Sequence, residues 1–319
     1  MIKLLIKVDS YKRNKLKAFY RMDALAQELK DRCEIIFLCN KDDVKGIMYL
    51  TKKNYEVHTY LKDELLDELE KFRNFNIIID SPNKLASFDF QCQKICKKTI
   101  YIDEKADRAF KCDMVINPLY GAKELKYLAS PGCGVIKGRD AVLIRDEFVQ
   151  AKKIPIGEVK TILMIIDHTK IADLLINLSD SKYYFKVIIE QGYDMADELN
   201  AQIKSNKVEF FEEDDFEKLV PQCDMAITSY NSFIYDLIGI GMPVIGVALS
   251  RNDIPSGQNL MRDNLINAIS IVNTVQILSV VNSFAMDLTQ RNDMQKNMTE
   301  LVSKNTKRNL ANQIFYKLN

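Results

Sequence analysis

The chain has 319 residues, 47% of them hydrophobic and 28% charged, with 45 Lys and Arg against 44 Asp and Glu. That composition can bury a sizeable core and suggests two domains of about 150 residues each, while a net charge of +1 gives no field that would draw the protein to nucleic acid or to an anionic membrane. No apolar run approaches the roughly 20 residues of a spanning helix, and the opening MIKLLIKVDS alternates like a strand and lacks a signal-cleavage site, so the expected location is the cytoplasm, without membrane insertion.

Ile2 to Val8 reads as the first strand. Phe19 to Asp31 reads as the first helix, with Phe19, Met22, Leu25, Ala26 and Leu29 on its core face, and EIIFLC as the second strand. The segment 42–53 suits a helix, Tyr55 to His58 a short strand, Lys62 to Phe72 a helix and Asn76 to Asp80 a buried strand. A helix near Phe88 to Cys96 and the strands TIYID and DMVIN complete a doubly wound half. Residues 118–140 are rich in glycine and proline, and the polar stretch 150–158 follows AVLIRDEF. The domain boundary is placed there, giving 1–149 and 150–319.

Alternation then resumes with VKTILMII, a helix near Ile171 to Leu178, YYFKVII, a helix near Asp194 to Ser205, VEFF, and a helix near Phe216 to Pro221. Asp224 to Asn259 follows as strand, polar turn, helix, glycine break, strand and a second polar loop. Ser229 to Ser232 can cap the helix, and Gly239, Gly241 and Pro243 end it. Thr274 onward is helical. The sequence leaves open whether these last helices stay with the second domain or cross back to the first. The class is α/β: two Rossmann-like doubly wound domains facing a cleft, with ligand groups expected at the carboxyl ends of parallel strands.

Seven cysteines, an odd number at scattered positions, favour reduced thiols. Cys92 and Cys96, four apart on an expected helix, lack a second ligand pair and read as buried apolar groups. His58 and His168 have no acidic or histidine partner at ligand spacing, so neither a metal nor another cofactor is expected.

Gly138 followed by RDAVLIRDEF, together with IIID, CDMVINP and an S-x-x-S-x-x-x-D…G-x-P…Q-N series, resembles the UDP-sugar hydrolases of the pseudaminic acid pathway and their spore-coat polysaccharide (SpsG-type) relatives. The resemblance covers most of the chain. It implies a GT-B architecture, a nucleotide-sugar ligand of UDP or CMP type, and a place in surface polysaccharide, spore-coat or flagellin glycan synthesis, with pathway enzymes as partners.

The chain departs from the family's pattern where that family does its chemistry. Alignment on Arg21 puts Ala18 at the family's histidine, and no glycine precedes Gly46, so the close-approach phosphate loop is missing. Asp80 is followed by Ser81 and Pro82 in place of histidine and tyrosine. Ile165 and Ile166 stand where glycines let phosphate approach, and are expected to crowd it.

Three functions stay open: a degenerate nucleotide-sugar binder, an active transferase or hydrolase with relocated residues, and a scaffold. Catalytic residues are not assigned. The nucleotide-binding candidates are Asp236 for ribose, Ser229, Asn231 and Ser232 for phosphate or simply as caps, and Gln258 and Asn259 in the second polar loop or as plain turn residues. The substrate-side candidates are Arg21, Asp80, Asp103 and His168. Lys12, Arg13, Lys15 and Lys17 form a basic loop that either binds an anion or is solvated.

Overall fold

The computed structural model describes residues 1–11, 16–82, 86–150, 157–190, 195–230, 233–269, 274–303 and 306–319. In chain order the first half runs β1 (Ile2–Val8), α1 (Lys17–Leu29), β2 (Cys33–Asn40), α2 (Val44–Lys52), β3 (Glu56–Tyr60), α3 (Leu65–Glu70), β4 (Asn76–Asp80), α4 (Ala86–Ile95), β5 (Thr99–Ile102), β6 (Ala109–Phe110), β7 (Met114–Asn117), β8 (Leu128–Ala129) and β9 (Gly134–Lys137). The second half runs α5 (Asp146–Gln150), β10 (Thr161–Ile166), α6 (Thr169–Leu178), β11 (Tyr184–Ile189), α7 (Ala196–Gln202), β12 (Val208–Phe211), α8 (Phe216–Leu219), β13 (Met225–Ser229), α9 (Phe233–Ile240), β14 (Val244–Val247), α10 (Ile254–Arg262), β15 (Asn267–Ile269), α11 (Thr274–Met286), α12 (Leu288–Ser303) and α13 (Thr306–Leu318).

Two compact units result: Met1–Arg145 with Asn305–Asn319, and Asp146–Lys304. The sequence division left the final helix with the second half. Its contacts put it with the first, because Leu310, Ala311, Ile314 and Leu318 are fully buried in the cluster that holds Phe19, Met22 and Leu25 of α1.

The first unit is built on a seven-stranded sheet in the order β3-β2-β1-β4-β5-β7-β9, parallel at every pairing. Alternation along β1 serves both faces: Leu4, Ile6 and Val8 join the cluster with α1 and α13, while Leu5 joins Leu69, Phe72, Phe88 and Cys92 on the other. β9 lies inside the glycine-rich segment that the sequence reading treated as a connection. Four residues are too few to show a period, and pairing from Met114↔Gly134 to Asn117↔Lys137 is what makes them a strand.

The second unit carries a six-stranded sheet ordered β12-β11-β10-β13-β14-β15, also parallel throughout. Gly241, at φ +79°, ends α9 in the left-handed conformation that glycine adopts without strain. In both units the strand order reverses at the middle of the sheet, beside β1 and β4 in the first and beside β10 and β13 in the second. This is the crevice at which doubly wound sheets place ligands. Among the described residues no helix is long and apolar enough to cross a membrane.

Candidate functional site

At the reversal point of the first sheet, the strand ends carry Asp9, Asp80, Ser81, Asp103 and Glu104, and all of these are tied to groups of the same unit. Lys7, 0% exposed, pairs with Asp9 and lies within 3.2 Å of Ser81 Oγ. Ser81 Oγ in turn donates to Asp9 Oδ2 at 2.6 Å, and Tyr60 Oη donates to Asp9 Oδ1 at 2.7 Å. The backbone N–H of Asn40 adds a fourth donor to that carboxylate at 3.1 Å.

Arg21 reaches up from α1 and grips Asp80 through Nε and Nη2 while Nη1 takes Glu104. Burial works against the guanidinium's charge, but Asp80 and Glu104 outweigh it and hold Arg21 protonated well beyond its ordinary range. Burial likewise opposes the charge on Glu104, and Lys17 at 2.8 Å together with Arg21 pulls its carboxyl down to about 2. Arg21 and Asp80, two substrate-side candidates, therefore meet as a buried bidentate pair.

Asp103 is fully buried and closes a turn, accepting from the N–H of Lys105 (3.0 Å) and Ala106 (2.7 Å) and from Tyr127 Oη (2.9 Å). Asn117 Nδ2 donates to that same tyrosine oxygen at 2.9 Å. Ala18 is 1% exposed inside the α1 core, so its methyl packs among apolar groups. Of the basic loop, Lys12, Arg13 and Lys15 lie outside the described residues; Lys17 is the member whose partner, Glu104, is seen.

At the reversal point of the second sheet, β10 extends through Ile166, and Ile165 and Ile166 are 0% exposed, paired with Ile188 and Ile189 of β11. This corrects the expectation that they crowd an approaching phosphate. They are strand residues facing the sheet's two packed sides, and the groups that leave the strand end are Asp167 and His168. Ser229 at the end of β13 donates its hydroxyl to Asp167 Oδ2, joining the two central strands. His168 Nδ1 accepts from Lys170 N at 3.1 Å and so caps α6, which places the proton of a neutral ring on Nε2.

Lys170, in the first turn of α6 and exposed, sends Nζ across to Leu249 O, beyond the end of β14, at 2.8 Å. The sequence reading passed over this lysine. Its signal was a cation two residues past a strand-end histidine, which reads equally well as a solvated helix start.

Asp236 sits in the first turn of α9 and is 6% exposed. Asn231 and Ser232 lie outside the described residues. Gln258 and Asn259 are on helix α10, where a loop was expected. Ser250 and Asp253 form a capping box and Pro255 stands in the first turn, so the polar run IPSGQN is a helix start. Gln258 is exposed and Asn259 is 9% exposed.

Tyr230, also missed, fills the space that two glycines leave: a Cβ at Gly246 would come within 2.7 Å of its ring and one at Gly257 within 2.1 Å of its hydroxyl. Burial, and secondarily Asp253, raise that phenol to about 12, so it stays protonated. Among the described residues no group of three or more His, Cys, Asp or Glu could hold a metal ion.

No protein-family model matches the sequence, and no curated protein matches it. Solved structures do match over the whole chain. MurG of Acinetobacter baumannii aligns at TM-score 0.60 and 10% identity, covering 99% of this chain and 100% of its own. The spinosyn forosaminyltransferase SpnP aligns at TM-score 0.69 and 8% identity, with 99% of each chain covered. Anabaena HepE, in complex with UDP and glucose, aligns at TM-score 0.69 and 13% identity, covering 99% of this chain and 98% of that one. These neighbours are GT-B glycosyltransferases, and at such identities they establish the fold: the chain has two Rossmann-like units of GT-B type.

Proposed function

We propose that the protein binds a nucleotide-sugar, of UDP or CMP type, chiefly through its second unit, and that it does not hydrolyse it. It would then be a degenerate member of the nucleotide-sugar hydrolase and glycosyltransferase group, working in surface polysaccharide, spore-coat or flagellin glycan synthesis. The observation that carries the reading is the state of the first unit's strand ends. Asp9, Asp80 and Asp103 are each 4% exposed or less and each accepts hydrogen bonds from groups of its own unit. A general base must reach the proton it removes, and carboxylates engaged this way do not, while Ala18 offers no proton-transfer group at all.

Binding is supported by what the second unit presents. Exposed Lys170 brings a cation beside the crevice, Ser229 ends β13 with a hydroxyl that a phosphate would have to draw from Asp167, Asp236 stands in the first turn of α9 for the ribose hydroxyls, and the HepE structure of the same fold contains UDP. Gln258 and Asn259 extend this surface from α10. A second reading, a non-catalytic scaffold for pathway enzymes, is favoured by one feature: His168 already caps α6, and Asp167 sets a carboxylate beside that helix start, both of which disfavour phosphate there.

Calorimetric titration with UDP separates the two. Wild-type protein is expected to bind, and Asp236→Ala and Lys170→Ala are each expected to weaken binding by about 1.5–3 kcal/mol, roughly ten- to a hundredfold, as loss of a charged hydrogen bond does. Absence of binding to UDP and to CMP would leave the scaffold reading in place.

A further inference from the structure

We propose that Cys112 and Cys133 are a redox-active thiol pair that closes to an intrachain disulfide. Cys112 stands two residues before β7 and Cys133 one residue before β9, neighbouring parallel strands at the edge of the first sheet whose register begins at Met114↔Gly134. The Gly134 N–H to Asp113 O bond, 2.9 Å, locks the two approaches side by side and brings the sulfurs to 3.7 Å. Cys33, Cys39, Cys92, Cys96 and Cys223 are buried, whereas Cys112 and Cys133 are both partly exposed. Gly132, at φ +83°, forms the turn before Cys133, and a side chain built there would meet nothing within 4 Å, so that side of the turn is open to a small reagent.

The two thiols are not equivalent. Burial raises both; at Cys133 the thiol–thiol hydrogen bond shared with Cys112 and the Lys317 ammonium, whose Nζ donates to Gly132 O at 3.0 Å, oppose the rise. Cys112 is held up by burial and by Cys133 itself. Cys133 is therefore the attacking group, since the thiolate is the nucleophile.

The chemistry is exchange with a low-molecular-weight disulfide. Cys133 loses its proton and its sulfur attacks one sulfur of the reagent, giving a mixed disulfide and one small thiol that carries the proton away. Cys112 then loses its proton and attacks Cys133 Sγ, and the second small thiol leaves. Two protein thiols become one disulfide and one small disulfide becomes two thiols. The sulfurs have to close from 3.7 Å to the bonding distance of about 2.05 Å. The closed loop contains β7, Asn117 and Tyr127, the two side chains that support Asp103.

The test is incubation of the purified protein with oxidised glutathione, an acid quench and peptide mapping by mass spectrometry. The expected result is a Cys112–Cys133 cross-linked peptide, removed by dithiothreitol, with the buried cysteines unmodified and Tm raised by roughly 5–10 °C in the cross-linked form. In Cys112→Ser the reaction should stop at glutathione attached to Cys133. A wild-type protein that accumulates glutathione on Cys133 without forming the cross-link, or that keeps both thiols free throughout, overturns the proposal. Because the decisive map is made on the unaltered chain, a folding defect in the variant leaves the outcome readable.

Discussion

Arg21 has its guanidinium engaged on two carboxylates, Asp80 through two nitrogens and Glu104 through a third, at a site where Asp80 is 0% exposed. Removing one partner of such a pair strands the other as an uncompensated charge, so Arg21→Met should destabilise the protein by about 3–5 kcal/mol in urea unfolding, and combining it with Asp80→Asn should recover part of that loss. Glu104 gives one part of the pH dependence, opposite in sign to that of Asp80, whose carboxyl burial holds above its ordinary value despite Arg21. The Glu104 carboxyl is lowered from 4.5 to about 2 in the folded chain, so its contribution is complete above the ordinary value near 4.5 and is lost as pH falls through about 2. Glu104→Gln should flatten stability against pH in that window, by at most about 3 kcal/mol.

Residue types were legible at this scale and their partners were not. Asp80 and Asp103 were picked out as polar groups at strand ends and Arg21 through the family resemblance, but whether they face a ligand or one another depends on which elements are neighbours. Tyr230 left a fainter trace, in two glycines that have no role in a turn. Gly257→Ala puts a methyl within 2.1 Å of the Tyr230 hydroxyl and should cost about 1–3 kcal/mol, as overpacking does; the penalty should shrink in a Tyr230→Ala background. Equal penalties in both backgrounds, measured by thermal unfolding, would show that the tyrosine is not what the glycine accommodates.

Among the elements, those with long runs or clear periods could be read directly, as in Ile2–Val8 and Asn76–Asp80, both strands as expected. Short elements set by pairing could not: β9 and β15 have four and three residues and become strands because β7 and β14 present edges to them. The start of α10 was legible in principle, since Ser250 with Asp253 and Pro255 is a helix-start signature, but the polar residues that follow read more readily as a loop. The C-terminal helix was legible as a helix and not by address. Ile314 is 0% exposed in the first unit's core, so Ile314→Ala should cost about 2–5 kcal/mol and should loosen amide protection in β1, β2 and α1. Loosening confined to α11 and α12 would contradict the assignment of α13 to the first unit.

For the whole molecule, strand and helix alternation in two successive runs was enough to give two doubly wound units, and the structural neighbours bear out the GT-B class. Pattern says much less about chemistry, because one fold serves many activities. The branched pair Ile165 and Ile166 illustrates why: as letters they replace glycines of a phosphate loop, whereas in the sheet they are core residues of a strand that simply runs longer. The proposal of a binder in place of an enzyme rests on the internal pairing of Asp9, Asp80 and Asp103 in one unit and on the positions of Lys170, Ser229 and Asp236 in the other. Crystals of the protein soaked with an intact UDP-sugar test this most directly. The account predicts ordered, unbroken nucleotide-sugar against the second unit, its ribose at Asp236 and its phosphates near Lys170 and Ser229. UDP with the sugar cleaved away, or ligand density held instead by Arg21, Asp80 and Asp103, would contradict it.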